Sequence, residues 1–138
     1  MNNYKILQVI IPALLLILIT ACNGNDTPQD SGTPEKIMEV TGIELELLKS
    51  NPPQLNIVAK GNTSSAGWSK AKISPFVYIT PPPDGIYDFD FLAVPPSGPS
   101  ATVITPVKAA YNLNPLPDNL KGVRIHAKQN KQVEMLSK

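Results

Sequence analysis

Hydrophobic and polar residues alternate with a period of two along several short stretches of this chain. In EVTGIELELLK, the aliphatic residues Ile43, Leu45 and Leu47 alternate with Glu44 and Glu46. The same period recurs in QLNIVAKG, IYDFDFLAV and GVRIHAK, and less regularly in WSKAKISPFVYIT, ATVITPVKAAY and QVEML. Because successive side chains of a strand point to opposite faces, the pattern predicts about seven β-strands, each with one buried face.

Proline clusters separate these stretches and mark their ends. Residues 52–53, 81–83 and 95–96 are all proline, and proline is excluded from central strands because it has no N–H for the hydrogen-bond ladder. The best helical candidate after residue 21 is the short PDNLKG, where Asp118 would cap one turn and Gly122 would end it. Short, regularly spaced strands with turn signals between them predict an all-β sandwich or barrel.

A short turn that leads into a late strand resembles the arrangement in immunoglobulin-like domains, although those domains usually carry a disulfide between their sheets. We therefore expect an immunoglobulin-like antiparallel β-sandwich of about seven strands, with Trp68 in its core, and a small open β-barrel is the alternative. The two strands GVRIHAK and QVEML are expected to pair across KQNK.

The N-terminus has the composition of a secretory signal. Lys5 is the only charge ahead of an apolar run from Ile6 to Ile19, and small residues follow that run. A run of this length is too short for a typical bilayer-spanning helix and fits the apolar region of a signal peptide. We expect residues 1–21 to be removed.

The end of the apolar run resembles the lipobox of bacterial lipoproteins. Ile19-Thr20-Ala21-Cys22 places an aliphatic residue and two small residues before the only cysteine of the chain. The resemblance implies a diacylglycerol thioether on Cys22, cleavage before it, and acylation of the new terminus by a fatty acid such as palmitate. Two or more acyl chains anchor a protein stably. Asn23, which follows the cysteine, resembles the sorting pattern that sends lipoproteins of enteric bacteria to the outer membrane, so we expect the protein to be anchored there. If the source has no outer membrane, the protein is expected on the outer face of the cell membrane.

Composition divides the rest of the chain into a tether and one domain. Residues 22–37 begin with CNGNDTPQDSGTPEK, which lacks large apolar residues, so they are expected to form a lipidated flexible tether. Residues 38–138 are expected to form the β-sandwich domain. Without residues 1–21 the chain carries 11 basic and 11 acidic residues, so no basic excess favours nucleic acid, and the lipid provides the contact with the membrane.

Three aspartates in PPPDGIYDFDF raise the question of a metal site. Asp84-Gly85 after prolines is a turn signal, and Asp88 and Asp90 would share the polar face of a strand whose Tyr87, Phe89 and Phe91 point to the core. Ca²⁺ requires six to eight oxygen ligands, so these carboxylates are candidates only if other oxygens complete the set. We expect that they do not, and that the chain needs no cofactor.

Catalytic residue types are scarce. His126 is the only histidine and is expected on a solvated strand face, and no nucleophile elbow, phosphate loop or zinc motif occurs. We therefore expect no enzymatic activity. Trp68, Tyr78 and Tyr111 are the candidates for stacking against a ligand such as a glycan.

The stretch from Gly67 to Ala127 resembles small uncharacterised envelope proteins of bacteria, a resemblance that assigns no site residue. The sequence as a whole predicts a non-catalytic interaction or accessory module, lipid-anchored in the cell envelope on the periplasmic or surface side and bound to an envelope protein. The alternative is a glycan- or Ca²⁺-binding module that uses the loops at residues 81–85, 95–100 and 112–119.

Overall fold

The structure, a computed structural model, describes residues 32–137. Within this range the chain forms eight strands: β1 (Glu35–Lys36), β2 (Glu39–Leu48), β3 (Gln54–Thr63), β4 (Ser69–Pro75), β5 (Ile86–Val94), β6 (Thr105–Leu113), β7 (Gly122–His126) and β8 (Lys131–Met135). The predicted signal peptide and Cys22 lie outside the described residues. Because residues 32–137 contain no helix, no helix of this part of the chain is long and apolar enough to span a bilayer.

The strands form two open sheets. In the first, β5 pairs with β1, β4 and β7, and β8 pairs with β7; in the second, β3 lies between β2 and β6. Every pairing is antiparallel except that of β5 with β7, which is parallel. The predicted all-β fold class is therefore confirmed as a two-sheet sandwich, and neither sheet closes into a barrel. The predicted pairing of GVRIHAK with QVEML is also confirmed, as the hairpin of β7 and β8.

The core lies between the two sheets and follows the alternation in the sequence. In β3, Leu55, Ile57 and Ala59 are fully buried, and in β5, Phe89 and Phe91 are buried against them. The ring of Phe89 meets that of Tyr111 in the other sheet at a centroid distance of 5.6 Å. Trp68 is only partly buried: it packs at the margin of the core and donates from Nε1 to Ser65 Oγ at 3.0 Å.

Two local predictions differ from the structure. Residues 117–120 form a turn, in which Leu120 N donates to Pro117 O at 3.1 Å, so Asp118 does not cap a helical turn. The β-sandwich also includes residues before the predicted boundary at residue 38, because β1 pairs with β5 and Ile37 is fully buried.

The chain crosses from one sheet to the other directly after β1. Ile37 N donates to Phe91 O in the first sheet, and Met38 N donates to Asn62 O in the second, both at 3.1 Å. Gly61 makes this crossing possible, since a Cβ there would lie 2.3 Å from Ile37 Cδ1 and 2.4 Å from Glu39 O. The crossing therefore depends on a residue without a side chain.

The strand registers define two ends of the sandwich. The tether end contains residues 32–34, where the chain enters β1, together with the connections at 64–68, 95–104 and 127–130, because Glu35 pairs with Ala93 and Asn62 pairs with both Glu39 and Pro106. The far end contains the connections at 49–53, 76–85 and 114–121. β5 runs from the far end to the tether end, over nine residues or roughly 25–30 Å.

Candidate functional site

A group of polar side chains meets on the outer face of the first sheet, towards the far end. The group, called the Asp88 cluster below, consists of Tyr78, Asp84, Asp88, Arg124 and His126. Asp88 lies at its centre, and its side chain is only 15% exposed. Asp88 Oδ2 accepts a hydrogen bond from Tyr78 Oη at 2.5 Å, and Oδ1 accepts one from Arg124 Nη1 at 3.0 Å and lies 2.7 Å from His126 Nε2.

The parallel pairing of β5 with β7 brings these residues together. Asp88 is directly opposite Arg124, and Asp90 is opposite His126, so the polar faces of the two strands coincide. The neighbouring Phe89 and Ile125, which are also paired, point to the core instead. The same alternation that buries the aromatic residues therefore places a carboxylate, a guanidinium and an imidazole side by side.

Hydrogen bonding sets the charge of Asp88. Burial by itself would raise the pKa of this carboxyl, but the hydrogen bonds from Tyr78, His126 and Arg124 outweigh burial and lower the pKa below its ordinary value. The hydrogen bond with Asp88 raises the pKa of Arg124. Asp88 therefore remains a carboxylate that is neutralised locally by Arg124.

The cluster holds the segment that follows β4. The ring of Phe76 stacks on that of His126 with a centroid distance of 5.4 Å and an angle of 16°, and Phe76 N donates to Asp88 O at 3.0 Å. Two residues later, Tyr78 Oη donates to the Asp88 carboxylate and accepts from Asp88 N at 3.0 Å. The intervening Val77 is 96% exposed, and Ile79 is fully exposed. Two aliphatic side chains therefore project from a segment that is fixed by its aromatic neighbours.

A tight turn supports the same end of the sheet. Gly85 N donates to Pro82 O, and Asp84 Oδ1 accepts from Ile86 N, both at 3.0 Å, as expected for a turn closed by an aspartate. Gly85 has a φ of 73°, and a Cβ there would lie 2.4 Å from Asn119 O. The proposed turn role of Asp84 thus fits the geometry, and Asp84 Oδ2 also lies 3.5 Å from Arg124 Nη2.

The three aspartates do not converge on one point. Asp84 and Asp88 both contact Arg124, whereas Asp90 Oδ1 forms an ion pair with Lys36 Nζ at 2.9 Å. Within residues 32–137, no three His, Cys, Asp or Glu side chains are grouped so that they could hold a metal ion. The group that faces Asp84 and Asp88 is therefore the guanidinium of Arg124, and not a set of further oxygen ligands for Ca²⁺.

The three candidate aromatic residues lie in different places. Tyr78 belongs to the Asp88 cluster at the far end, Trp68 lies at the tether end, and Tyr111 is half-buried against Phe89 between the sheets. The candidate loops divide in the same way. Residues 81–85 and 112–119 meet at the far end, where Asn119 Nδ2 donates to Pro82 O at 2.9 Å, but residues 95–100 lie at the tether end.

Two expectations about the cluster were wrong in detail. His126 was expected on a solvated face, but it is half-buried between Phe76 and Asp88. Phe76 and Tyr78 were expected within a strand, but β4 ends at Pro75. Arg124 was not singled out as a site residue; the available signal was that Asp88, Arg124 and His126 all occupy polar positions of alternating strands.

Comparison with known proteins identifies no relative: the chain matches no protein-family model, no curated protein and no solved structure. Its function therefore has to be inferred from the site itself.

Proposed function

We propose that this protein is a lipid-anchored, non-catalytic interaction module of the cell envelope, and that it binds an envelope protein through Val77 and Ile79. The observation that supports this proposal is the full exposure of these two aliphatic side chains on an anchored segment. Single exposed apolar residues are common on protein surfaces, but here the chain holds two of them outward by stacking Phe76, itself 41% exposed, on His126 and by bonding Tyr78 to Asp88.

Fixing the segment favours binding. A mobile loop loses conformational freedom when it binds, whereas a segment that is already ordered avoids most of that entropic penalty. The stacking of Phe76 on His126 and the hydrogen bonds of Tyr78 order the segment before any partner arrives. We therefore regard the Asp88 cluster as the support of the binding surface and not as a reaction centre.

The chemistry of the surface indicates the class of partner. Valine and isoleucine gain free energy by burial against other apolar groups, at about 25 cal/mol per Å² of apolar surface removed from water. Sugars are usually bound by aromatic faces and hydrogen bonds, which Val77 and Ile79 do not provide. The surface also lies at the far end, opposite the end where the chain leads back to Cys22. A protein therefore suits this surface better than a glycan or the anchoring membrane.

The arrangement of the Asp88 cluster supports a catalytic function less well than it supports binding of a protein. A His–Asp pair can supply general acid–base chemistry, but the hydroxyl that contacts this pair is Tyr78 Oη, which binds Asp88. The glycan- or Ca²⁺-binding alternative has less support as well, because Arg124 contacts the carboxylates of Asp84 and Asp88 and residues 95–100 lie at the opposite end from the other two loops.

Photo-crosslinking in cells of the source organism tests the proposal. With a benzophenone amino acid in place of Ile79, we expect one discrete protein adduct, which the additional substitution Val77→Asp abolishes. Both positions are fully exposed, so these changes should alter the free energy of unfolding by no more than about 0.5 kcal/mol.

Thr41, an exposed residue of β2 in the other sheet, is the matched control position and should give no such adduct. Equal adducts at residues 79 and 41, or an adduct at residue 79 that survives Val77→Asp, would contradict the proposed binding surface.

A further inference from the structure

A second apolar surface lies at the tether end, in the loop of residues 95–104. Val103 is 58% exposed and Ile104 is 62% exposed, and they are adjacent in the chain. No charged residue occurs between Asp90 and Lys108, so the loop is the middle of a long uncharged stretch. An uncharged loop with paired exposed aliphatic residues needs an explanation in a chain in which 17% of the residues are charged.

The loop is held in place by the neighbouring connection at residues 64–68 and by hydrogen bonds of its own residues. Ala66 N donates to Ala101 O at 3.0 Å, and Val103 N donates to the same oxygen at 2.9 Å. Thr105 Oγ1 donates to Val103 O at 2.9 Å, and Gly67, with a φ of 83°, lets Pro96 approach closely. These contacts fix the backbone on both sides of the exposed pair, so Val103 and Ile104 are presented outward by an ordered loop.

The loop lies close to the point where the chain enters the domain, and this position indicates which surface it meets. Thr105 pairs with Thr63, and Asn62 pairs with both Pro106 and Glu39, so the loop begins β6 beside the point where the chain enters the domain. Twelve residues separate Cys22 from β1, and even a fully extended chain of that length spans at most about 40 Å. A lipid on Cys22 would therefore keep this end of the domain within reach of the bilayer.

We infer that the loop of residues 95–104 rests on the surface of the bilayer that anchors the chain, with Val103 and Ile104 inserted among the lipid headgroups. This inference rests on the lipid anchor of the proposed function, and it adds an orientation: the loop faces the membrane, and Val77 and Ile79 point away from it. Apolar side chains in an uncharged stretch of the chain can enter the headgroup region because insertion of that stretch does not require an ion to lose its hydration.

Fluorescence quenching by brominated lipids tests the inference on the full mature, lipidated chain. The lipid occupies the thiol of Cys22, so a cysteine introduced by Val103→Cys is the single site for a bimane label. In phosphatidylethanolamine–phosphatidylglycerol vesicles that contain brominated phosphatidylcholine, we expect the label at position 103 to be quenched at least about threefold more strongly than one placed by Val77→Cys. The two positions lie at opposite ends, separated by roughly the 25 Å length of β5.

Each outcome decides a different question. Equal quenching at positions 103 and 77 on lipidated chains would overturn the orientation while leaving the anchor intact. A chain that carries no lipid and stays in the aqueous fraction would overturn both. Ser97→Cys provides a second labelling site in the same loop at an exposed polar residue, so that a folding defect of Val103→Cys cannot decide the result. Strong quenching of the labels at both positions 97 and 103 supports the inference. Weak quenching of the label at position 97 overturns it.

Discussion

Asp88 connects three parts of the chain through one carboxylate. It binds Tyr78 from the segment after β4, Arg124 and His126 from β7, and its backbone carbonyl accepts from Phe76 N. The cluster is stabilising only while all these groups find their partners, because a charge or donor left unpaired at a half-buried position loses its hydration without compensation.

Replacement of Asp88 by asparagine should therefore destabilise the fold. Asp88→Asn keeps the size of the side chain but leaves the Arg124 guanidinium without its half-buried counter-charge. We expect the free energy of unfolding to fall by about 2 kcal/mol, measured by urea denaturation. Asp118→Asn, in an exposed turn, is the control and should change it by less than about 0.5 kcal/mol. Equal effects of the two substitutions would show that the cluster contributes no stability.

Comparison with Asp88→Asn also tests how the stabilising contribution of Asp88 changes with pH. Because the pKa of Asp88 is lower in the folded chain than in the unfolded chain, its stabilising contribution is fully present above the unfolded pKa of about 4 and is lost as the pH falls through the folded pKa. The difference in unfolding free energy between the wild type and Asp88→Asn should therefore shrink as the pH falls below about 4. A difference that stays constant down to pH 2 would contradict this assignment.

At the scale of the strands, the crossing between the sheets depends on Gly61. In Gly61→Ala the added methyl group would lie 2.4 Å from Glu39 O, a backbone atom that cannot rotate away. Overpacking of this kind destabilises proteins by about 1–3 kcal/mol, and we expect a loss of at least about 2 kcal/mol, measured by thermal or urea denaturation. Gly42→Ala in the adjoining β2 is a matched control, because a Cβ there meets no atom within 4 Å, and it should not destabilise the chain.

Strand faces could be predicted from the sequence wherever a strand is paired on both sides. Leu55, Ile57 and Ala59 in the central strand of the second sheet are buried as the alternation predicted. The pair Glu35–Lys36 was missed because two charged residues carry no alternation, and β1 exists only through its pairing with β5. Short strands that depend on a partner cannot be recognised from local sequence alone.

The segment of residues 76–80 shows where the period of two misleads. Phe76 and Tyr78 do turn towards the sheet and Val77 and Ile79 away from it, as in a strand, but the ladder ends at Pro75. The Asp88 cluster could not be derived from the sequence either, because Asp88 and Arg124 are 36 residues apart. Their strands, β5 and β7, pair directly in parallel, although β6, which lies between them in the sequence, belongs to the other sheet. Alternation predicts which way side chains point, but not which strands are neighbours.

At the scale of the whole molecule, the two apolar surfaces used in the proposals lie at opposite ends of the sandwich. Val103 and Ile104 lie at the tether end, and Val77 and Ile79 lie at the far end. A membrane contact at the tether end would restrict the tumbling of the domain and keep the far end directed at a partner, which raises the effective concentration of the binding surface. The proposed binding and the proposed orientation thus use different surfaces and can be tested separately.

The proposed orientation requires the proposed lipid anchor, and Cys22→Ser tests that anchor. Metabolic labelling with an alkyne fatty acid should mark the wild-type chain and should be abolished in Cys22→Ser, because the Cys22 thiol is the proposed acceptor of the diacylglycerol and the chain has no other cysteine. Thr20→Ser retains a small residue in the lipobox and should be labelled normally. Two aliphatic side chains bury far less apolar surface than acyl chains, which contribute about 0.8 kcal/mol per buried CH₂, so the loop of residues 95–104 should not substitute for the lipid. Labelling that persists in Cys22→Ser would contradict the lipoprotein assignment and, with it, the reason for the loop to meet a membrane.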